Sequence, residues 1–479
     1  MSMKCPNCGF DNPDGFSFCG RCGTRLDAAP PAPALTGREA TINQLKDEGD
    51  AAKRQSDFAA ALERYQQALA LLDSVILASD ATLHVQLIKS RFDILAERYP
   101  LWESAGRPDR IEPDLQEMLG LARRAGDGKR LGIALMTLAQ YYVTEHRDEA
   151  ARPLLEEAVS LTHSQSDRAG EAAALAQLAH MSWRAGRMDT VADAFQRAHE
   201  LRRHVAEPAG LARSYFDLGL LYRDAMSHPF YAISHFEKSQ ELARQAGDTE
   251  IEARGLIAVA VCWTRLGDYT TAKAVLNQAQ QKVTAIESAV QQAWLIVAQA
   301  DVERETGSAQ ARATIERAVA LAIDADLPEL EWHALMGRAR VDHALDTWDT
   351  AREPLDRMQA LERDNGLHAY CAIWTQALLA RTLLHAGQPK QAADVSQQAM
   401  NALQTHGFTG VPTPQTILWT HYEVLNHAKD QAAFHFLRQA RELMLAQANT
   451  IGDGALRANF LRDVSINRAI GDDWSKRHS

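Results

Sequence analysis

Four of the six cysteines in this 479-residue chain stand together near its start, as Cys5-x2-Cys8 and Cys19-x2-Cys22. Each CxxC pair of thiolates can clamp one side of a tetrahedral ion, and the ten residues between the pairs leave room for a hairpin return. A glycine, Gly9 or Gly23, follows each pair, and the intervening "FDNPDGFSF" supplies Asn-Pro and Asp-Gly turn signals. Phe10, Phe16 and Phe18 offer a miniature core. So short a segment cannot fold on apolar burial alone, and zinc binding, worth roughly 10–16 kcal/mol in comparable peptides, would supply most of its folding free energy. Four thiolates also fill the coordination sphere and leave no position for a catalytic water. The chemistry expected of Cys5, Cys8, Cys19 and Cys22 is therefore one structural zinc ion (Zn2+). Two disulfides or a redox CxxC are the competing reading. The duplicated knuckle favours metal, as does the absence of an apolar h-region in "MSMKCPNCG", which predicts a cytoplasmic, reducing setting.

Cys5-Pro6-Asn7-Cys8-Gly9-Phe10, Asn12-Pro13, Gly15, Phe18-Cys19-Gly20-Arg21-Cys22-Gly23 and Leu26 resemble the short zinc ribbons that begin many bacterial multidomain proteins. That resemblance implies zinc and little else, because such ribbons precede very different partners. Nucleic-acid binding is not favoured. Within residues 1–27, Lys4, Arg21 and Arg25 are balanced by Asp11, Asp14 and Asp27, so nothing drives counterion release. The whole chain carries a formal charge of −11.

The elements that follow are helical. Aromatics are only 7% of the chain, and the β-branched runs that strands need are scarce. The longest apolar run, Leu256 to Trp263, is less than half of what a membrane span requires. After the ribbon (1–27) comes a Pro/Ala linker (28–37) that favours an extended tether. From there small and aromatic residues return in a fixed frame: Gly49, Ala52, Ala61, Tyr65 and Ala68; Ala139, Tyr142, Ala151, Leu155 and Ala158; Ala260, Trp263, Ala272, Leu276 and Ala279. These anchors resemble the tetratricopeptide (TPR) repeat over residues 38–446, with about ten helical hairpins and a period of about forty residues in place of thirty-four. The resemblance implies an all-α fold, a right-handed α-solenoid of TPR-like hairpins, closed by a capping helix and tail over residues 447–479. One residue too many near Pro229, in "AMSHPFYA", is expected to make a kink or a tolerated loop.

Motifs for metalloprotease, hydrolase, dinucleotide, P-loop and kinase chemistry are absent, so the sequence predicts no enzyme. Cys262 and Cys371 sit in apolar helical stretches and read as buried structural thiols. Carboxylates read as solvated faces and i,i+4 pairs. In TPR proteins the first helix of each hairpin lines a groove that grips peptides. Aligning the same offsets on each anchor collects Trp183, Arg184, Arg213, Phe216, Arg223, Arg254, Arg265, Trp294, Arg304, Arg340, Trp374 and Arg381, together with His180, His333 and His343. Arginine forks and aromatic anchors suit an acidic peptide or protein segment. The bland alternative is that the arginines complement helix dipoles and the tryptophans fill inter-repeat core. The functional expectation is a non-enzymatic interaction scaffold. Its alternatives are a transcription- or nucleic-acid-linked regulator that makes contact through the ribbon, or a trans-acting arm for a separate cyclase or ATPase.

Overall fold

The structure is a computed structural model that describes residues 3–4, 11–12, 37–76 and 81–477. It divides into two compact units, Met1–Leu138 and Ala139–Ser479. In unit 1, β1 (Met3–Lys4) and β2 (Asp11–Asn12) pair antiparallel, Met3 opposite Asn12 and Lys4 opposite Asp11. Cys5, Cys8, Cys19 and Cys22, and the linker up to residue 36, lie outside the described residues. Two helical hairpins follow. In the first, α1 (Gly37–Arg54) packs on α2 (Phe58–Ile76), and in the second α3 (Ala81–Arg98) returns through the single turn α4 (Leu101–Ser104) to α5 (Ile111–Ala125). The helix α6 (Gly128–Thr144) runs through the division.

Unit 2 is a succession of paired helices. After α7 (Asp148–Ser164) come α8 (Arg168–Arg184) with α9 (Val191–Val205), α10 (Pro208–Leu220) with α11 (Pro229–Ala246), and α12 (Thr249–Arg265) with α13 (Tyr269–Ile286). Next are α14 (Ala289–Glu305) with α15 (Ala311–Asp324), α16 (Pro328–Ala344) with α17 (Arg352–Asp364), α18 (Ala369–His385) with α19 (Pro389–His406), and α20 (Gln415–His427) with α21 (Ala433–Thr450). The chain ends in α22 (Gly454–Arg462) and α23 (Ser465–Lys476). Each second helix also packs on the first helix of the next pair, so a hairpin's two apolar faces are buried by its neighbours. This is the all-α, TPR-like array that the anchors imply.

The period is written in the turns. Left-handed backbone at His146, Gly186, Ser227, Gly267, Gly307, Asp346 and Gly387 marks successive first-to-second turns, 39 to 41 residues apart. Second helices end the same way: Arg123 and Arg124 precede Gly126 (φ 60°), and Arg244 precedes Gly247 (φ 73°), cations beside the last carbonyls and a residue that stops the helix. First helices start on caps, with Asp167 accepting from Gly170 N–H, Asp248 from Ile251 N–H and Ser288 from Gln291 N–H. The extra residue expected near Pro229 is absorbed a few residues earlier. Leu221–Ala225 form one π turn, in which Met226 N–H reaches back to Leu221 C=O at 3.0 Å.

Close approach of paired helices depends on small residues. A Cβ on Gly219 would lie 2.5 Å from the ring of Phe236, which is fully buried, so only glycine admits that ring. Ala158 and Ala279 are likewise fully buried, each at a joint between neighbouring helices. Replacing either with Arg overpacks the joint and buries an unpaired cation, at a cost of about 3 kcal/mol or more. A clear fall in the thermal unfolding midpoint is expected for Ala158→Arg and for Ala279→Arg. An unchanged melting curve would show that these positions are not interlocking contacts.

Candidate functional site

The first helices of unit 2 turn one face towards each other along the array, and that face carries the side chains selected from the sequence. Their helical register places Arg184, Arg223, Arg265, Arg304 and Arg340 in the C-terminal halves or last turns of successive first helices, where a cation complements the helix dipole. The packing then brings carboxylates to meet them. Arg184 Nε donates to Asp148 Oδ2 at 3.3 Å. In the π turn Arg223 Nε donates to Asp224 at 3.0 Å, and Arg265 Nη1 approaches the same carboxylate at 2.8 Å while also donating to Arg223 C=O at 2.9 Å. One repeat further, Arg304 reaches Glu305 at 2.7 Å and Asp301 at 3.2 Å, and Arg340 donates to Asp301 at 3.1 Å. Arg381 donates to Glu423 at 3.0 Å and lies between the rings of Trp348 and Trp419, 5.6 and 5.1 Å from their centroids. His180 Nε2 meets Asp217 at 3.0 Å.

These groups are electrostatically interdependent. Burial pushes the Asp224 carboxyl up, but Arg223 and Arg265 outweigh it and hold it well below the usual carboxylate range. Asp301 and Glu305 are also held low, against burial, chiefly by Arg340 and Arg304 in one case and by Arg304 in the other. Arg340 moves the other way, lowered by burial and then by the neighbouring Arg304. The wall is thus a chain of ion pairs that largely satisfies itself.

The aromatic members are packed into it. Trp183 is buried and its ring lies 5.8 Å from that of His368, which stacks on Tyr370 at 5.0 Å. Tyr370 Oη stands 3.5 Å from His333 Nε2, and His333 faces Trp294 at 5.1 Å. Trp374 is buried and donates to Pro412 C=O at 3.2 Å, while His343 Nε2 meets Thr382 Oγ1 at 2.8 Å. Phe216 is buried edge-on against Phe236 at 5.4 Å, with the Arg254 guanidinium 4.6 Å over its ring. Among the described residues, Arg254 and the exposed Arg213 have no carboxylate partner.

The C-terminal ends of the first helices are also covered from within unit 2. Gly410 N–H donates to Ala225 C=O at 2.8 Å and Thr413 N–H to Ser227 Oγ at 3.2 Å. Tyr269 Oη donates to Asp463 C=O at 2.9 Å, and Glu305 accepts from Ser465 N–H at 3.0 Å and Oγ at 3.2 Å. Gly267, left-handed at φ 81°, lets the Asn459 carbonyl approach to where a Cβ would lie 2.9 Å away. The tail over α22 and α23 therefore reaches back to α12, α13 and α14 as well as packing on α21.

Sequence reading passed over the acids Asp148, Asp224, Asp301, Glu305 and Glu423, treating carboxylates as solvated. A signal was present. Asp148–Arg184, His180–Asp217, Asp301–Arg340 and Arg381–Glu423 stand 36, 37, 39 and 42 residues apart, close to one repeat. For nucleophilic chemistry the described thiols are unsuited, as expected of structural cysteines: Cys262 and Cys371 are buried, and burial pushes the Cys262 thiol up to about 12 and Cys371 well above its ordinary value. Among the described residues no group of three or more His, Cys, Asp or Glu could hold a metal, and no helix is long and apolar enough to cross a membrane.

A zinc-ribbon domain model matches residues 4–26. No curated protein matches the chain. Similar solved structures include a Rap protein complexed with competence and sporulation factor, 11% identical, covering 72% of this chain and 99% of that one with a TM-score of 0.48. Others are aspartyl phosphate phosphatase F from Bacillus subtilis (15% identical, 78% and 97% covered, TM-score 0.43) and yeast Tom70 (13% identical, 92% and 97% covered, TM-score 0.38).

Burial lowers the His333 pKa from 6.5 to about 4, and it also lowers His368 and His343. Because the unfolded chain binds these protons near pH 6.5, stability is complete above that value and is lost as pH falls towards 4. His333 alone accounts for on the order of 3 kcal/mol. The melting temperature should fall steadily between pH 6.5 and 4, and His333→Gln should flatten that slope. An equal slope in the variant would contradict the assignment.

Proposed function

We propose that this chain is a non-enzymatic interaction scaffold, a zinc-stabilised ribbon joined to a TPR-like array that holds an acidic peptide or protein segment on its first-helix wall. The observation that carries this reading is the contrast between paired and unpaired arginines. Arg184, Arg223, Arg265, Arg304, Arg340 and Arg381 already face carboxylates of the chain, whereas Arg213 and Arg254 face none among the described residues. Arg213 and Phe216 stand three apart on α10, hence on one helical face, and Arg254 of α12 covers the same ring. Guanidinium groups without an acid of their own offer forked hydrogen bonds to the carboxylates of a partner. The ion-paired remainder of the wall fixes the positions of these groups.

The ribbon would contribute by folding around metal. The β1–β2 pair joins residues on either side of the first CxxC, and the four thiols form an all-sulfur donor set that fits a closed tetrahedral zinc site. Bound through Cys5, Cys8, Cys19 and Cys22, zinc would supply folding free energy and no reaction step. Thiolate ligands of this kind persist in a reducing compartment, which supports a cytoplasmic setting. A balanced charge in residues 1–27 supports a protein partner over nucleic acid.

The test uses the full chain, Arg213→Glu/Arg254→Glu, Arg304→Gln/Arg340→Gln and Cys5→Ser/Cys8→Ser as baits in native lysate. The parent should carry one zinc ion and retain a protein partner. That partner should be lost with Arg213→Glu/Arg254→Glu at a smaller fall in melting temperature than Arg304→Gln/Arg340→Gln causes, while the cysteine variant loses zinc. Retention of the partner by Arg213→Glu/Arg254→Glu, or its loss only with the ribbon variant, contradicts the reading.

A further inference from the structure

Next to Arg213 lies a cavity of about 200 Å³ at the junction of α8, α9 and α10, lined by Ala169, Arg202, Val205, Glu207, Gly210 and Arg213 among others. Its floor holds an incompletely satisfied cation. The Arg202 side chain is only 12% exposed, its nearest carboxylate, Asp217, is 3.9 Å away, and its buried Nη1 has no hydrogen-bond partner among the described residues. Asp217 is already engaged at 3.0 Å by His180, on the side of the first-helix wall. Glu207 is spent as well, since its carboxylate accepts from the amides of Ala209 at 3.2 Å and Gly210 at 2.7 Å at the start of α10. Burial and the neighbouring Arg213 both act against the charge on Arg202, more than Asp217 and Glu207 offset, so its pKa is lowered.

A buried guanidinium with a free donor gains most from an anion that supplies forked acceptors. We propose that this cavity is the anchor of the interaction surface, taking one carboxylate of the acidic partner between the guanidinium groups of Arg202 and Arg213. The proposal rests on the reading of Arg213, Phe216 and Arg254 as the partner-binding face and adds to it a residue on a second helix, Arg202, and a pocket. The apolar rim fits the same partner. Val205 is 39% exposed at the mouth, so an acidic side chain flanked by an aliphatic one would bury both. The carboxylate can come from a glutamate or aspartate side chain or from a chain's C-terminus, and the cavity chemistry is common to both.

Fluorescence anisotropy on the full chain separates these sources and the two levels of the argument. The probes are a fluorescein-labelled hexaglutamate with an amidated C-terminus and a labelled hexaglutamine with a free one. At least one should bind, more weakly as salt rises, and Arg202→Gln or Arg213→Gln should weaken it about tenfold or more, as expected for loss of a charged hydrogen bond. Because Arg202→Gln also touches a buried position, Ala169→Phe serves as the second variant. Ala169 is exposed at the cavity wall, and the larger ring should fill the space and cause a similar loss with every charge kept. If Arg254→Gln weakens the probe but Arg202→Gln and Ala169→Phe do not, the cavity proposal is overturned while the wider surface stands. If neither probe binds, both fail.

Discussion

Burying an arginine without a carboxylate costs several kcal/mol, so Arg223, Arg304 and Arg340, which lie deep between the first helices, each require an acid beside them. In this protein the acid comes from the neighbouring hairpin, or from the next residue in the same turn. Asp224 serves Arg223 and Arg265, Asp301 serves Arg304 and Arg340, and Glu305 serves Arg304 while also receiving the amide of Ser465. The packing of alanines and glycines sets the distance between helices, but it is nondirectional. These pairs add direction: they fix which residue of one first helix lies opposite which residue of the next, and they tie the C-terminal tail to the middle of the array.

The same constraint divides the wall into two parts that differ in how their charges are paired. Where helix ends carry paired charges, late turns of the chain lie over them, as at Ala225, Ser227 and Tyr269, and the surface is spent on folding. Towards the N-terminal halves of α10 and α12, Arg213 and Arg254 have no acid among the described residues, and Arg254 lies over the buried ring of Phe216. The π turn at Leu221–Ala225 sits between these regions. It accommodates one additional residue and points Arg223 and Asp224 into the paired part, which matches the tendency of π turns to mark specialised positions in helices.

Much of the architecture is legible in the sequence because it depends on local and periodic signals. Small residues at Ala158, Ala198 and Ala279, helix-stopping Gly126 and Gly247, and caps such as Asp167 and Asp248 each act within a few residues, and their recurrence every forty or so reveals the array. The ribbon is legible for a similar reason, since thiol spacing encodes the donor set. The pairing within the wall is less visible. An aspartate such as Asp301 has the same appearance in sequence whether it faces water or Arg340, and only the near-repeat separation of the two hints at the contact. Contacts such as Glu305 with Ser465, 160 residues apart, and Tyr269 with Asp463, 194 apart, follow from how hairpins stack over several repeats, and no local pattern carries them. The burial of Arg202 belongs to the same class, because its surroundings are assembled from three helices.

The most direct measurement is a double-mutant cycle on Asp301 and Arg340 in the full chain, following the unfolding midpoint of Asp301→Asn, Arg340→Gln and the double variant. If the ion pairs orient neighbouring hairpins, each single change destabilises the array and the double change costs less than their sum, with a coupling of about 1–3 kcal/mol. Additive losses, with no coupling between the two positions, would contradict the view that these charges hold the wall together.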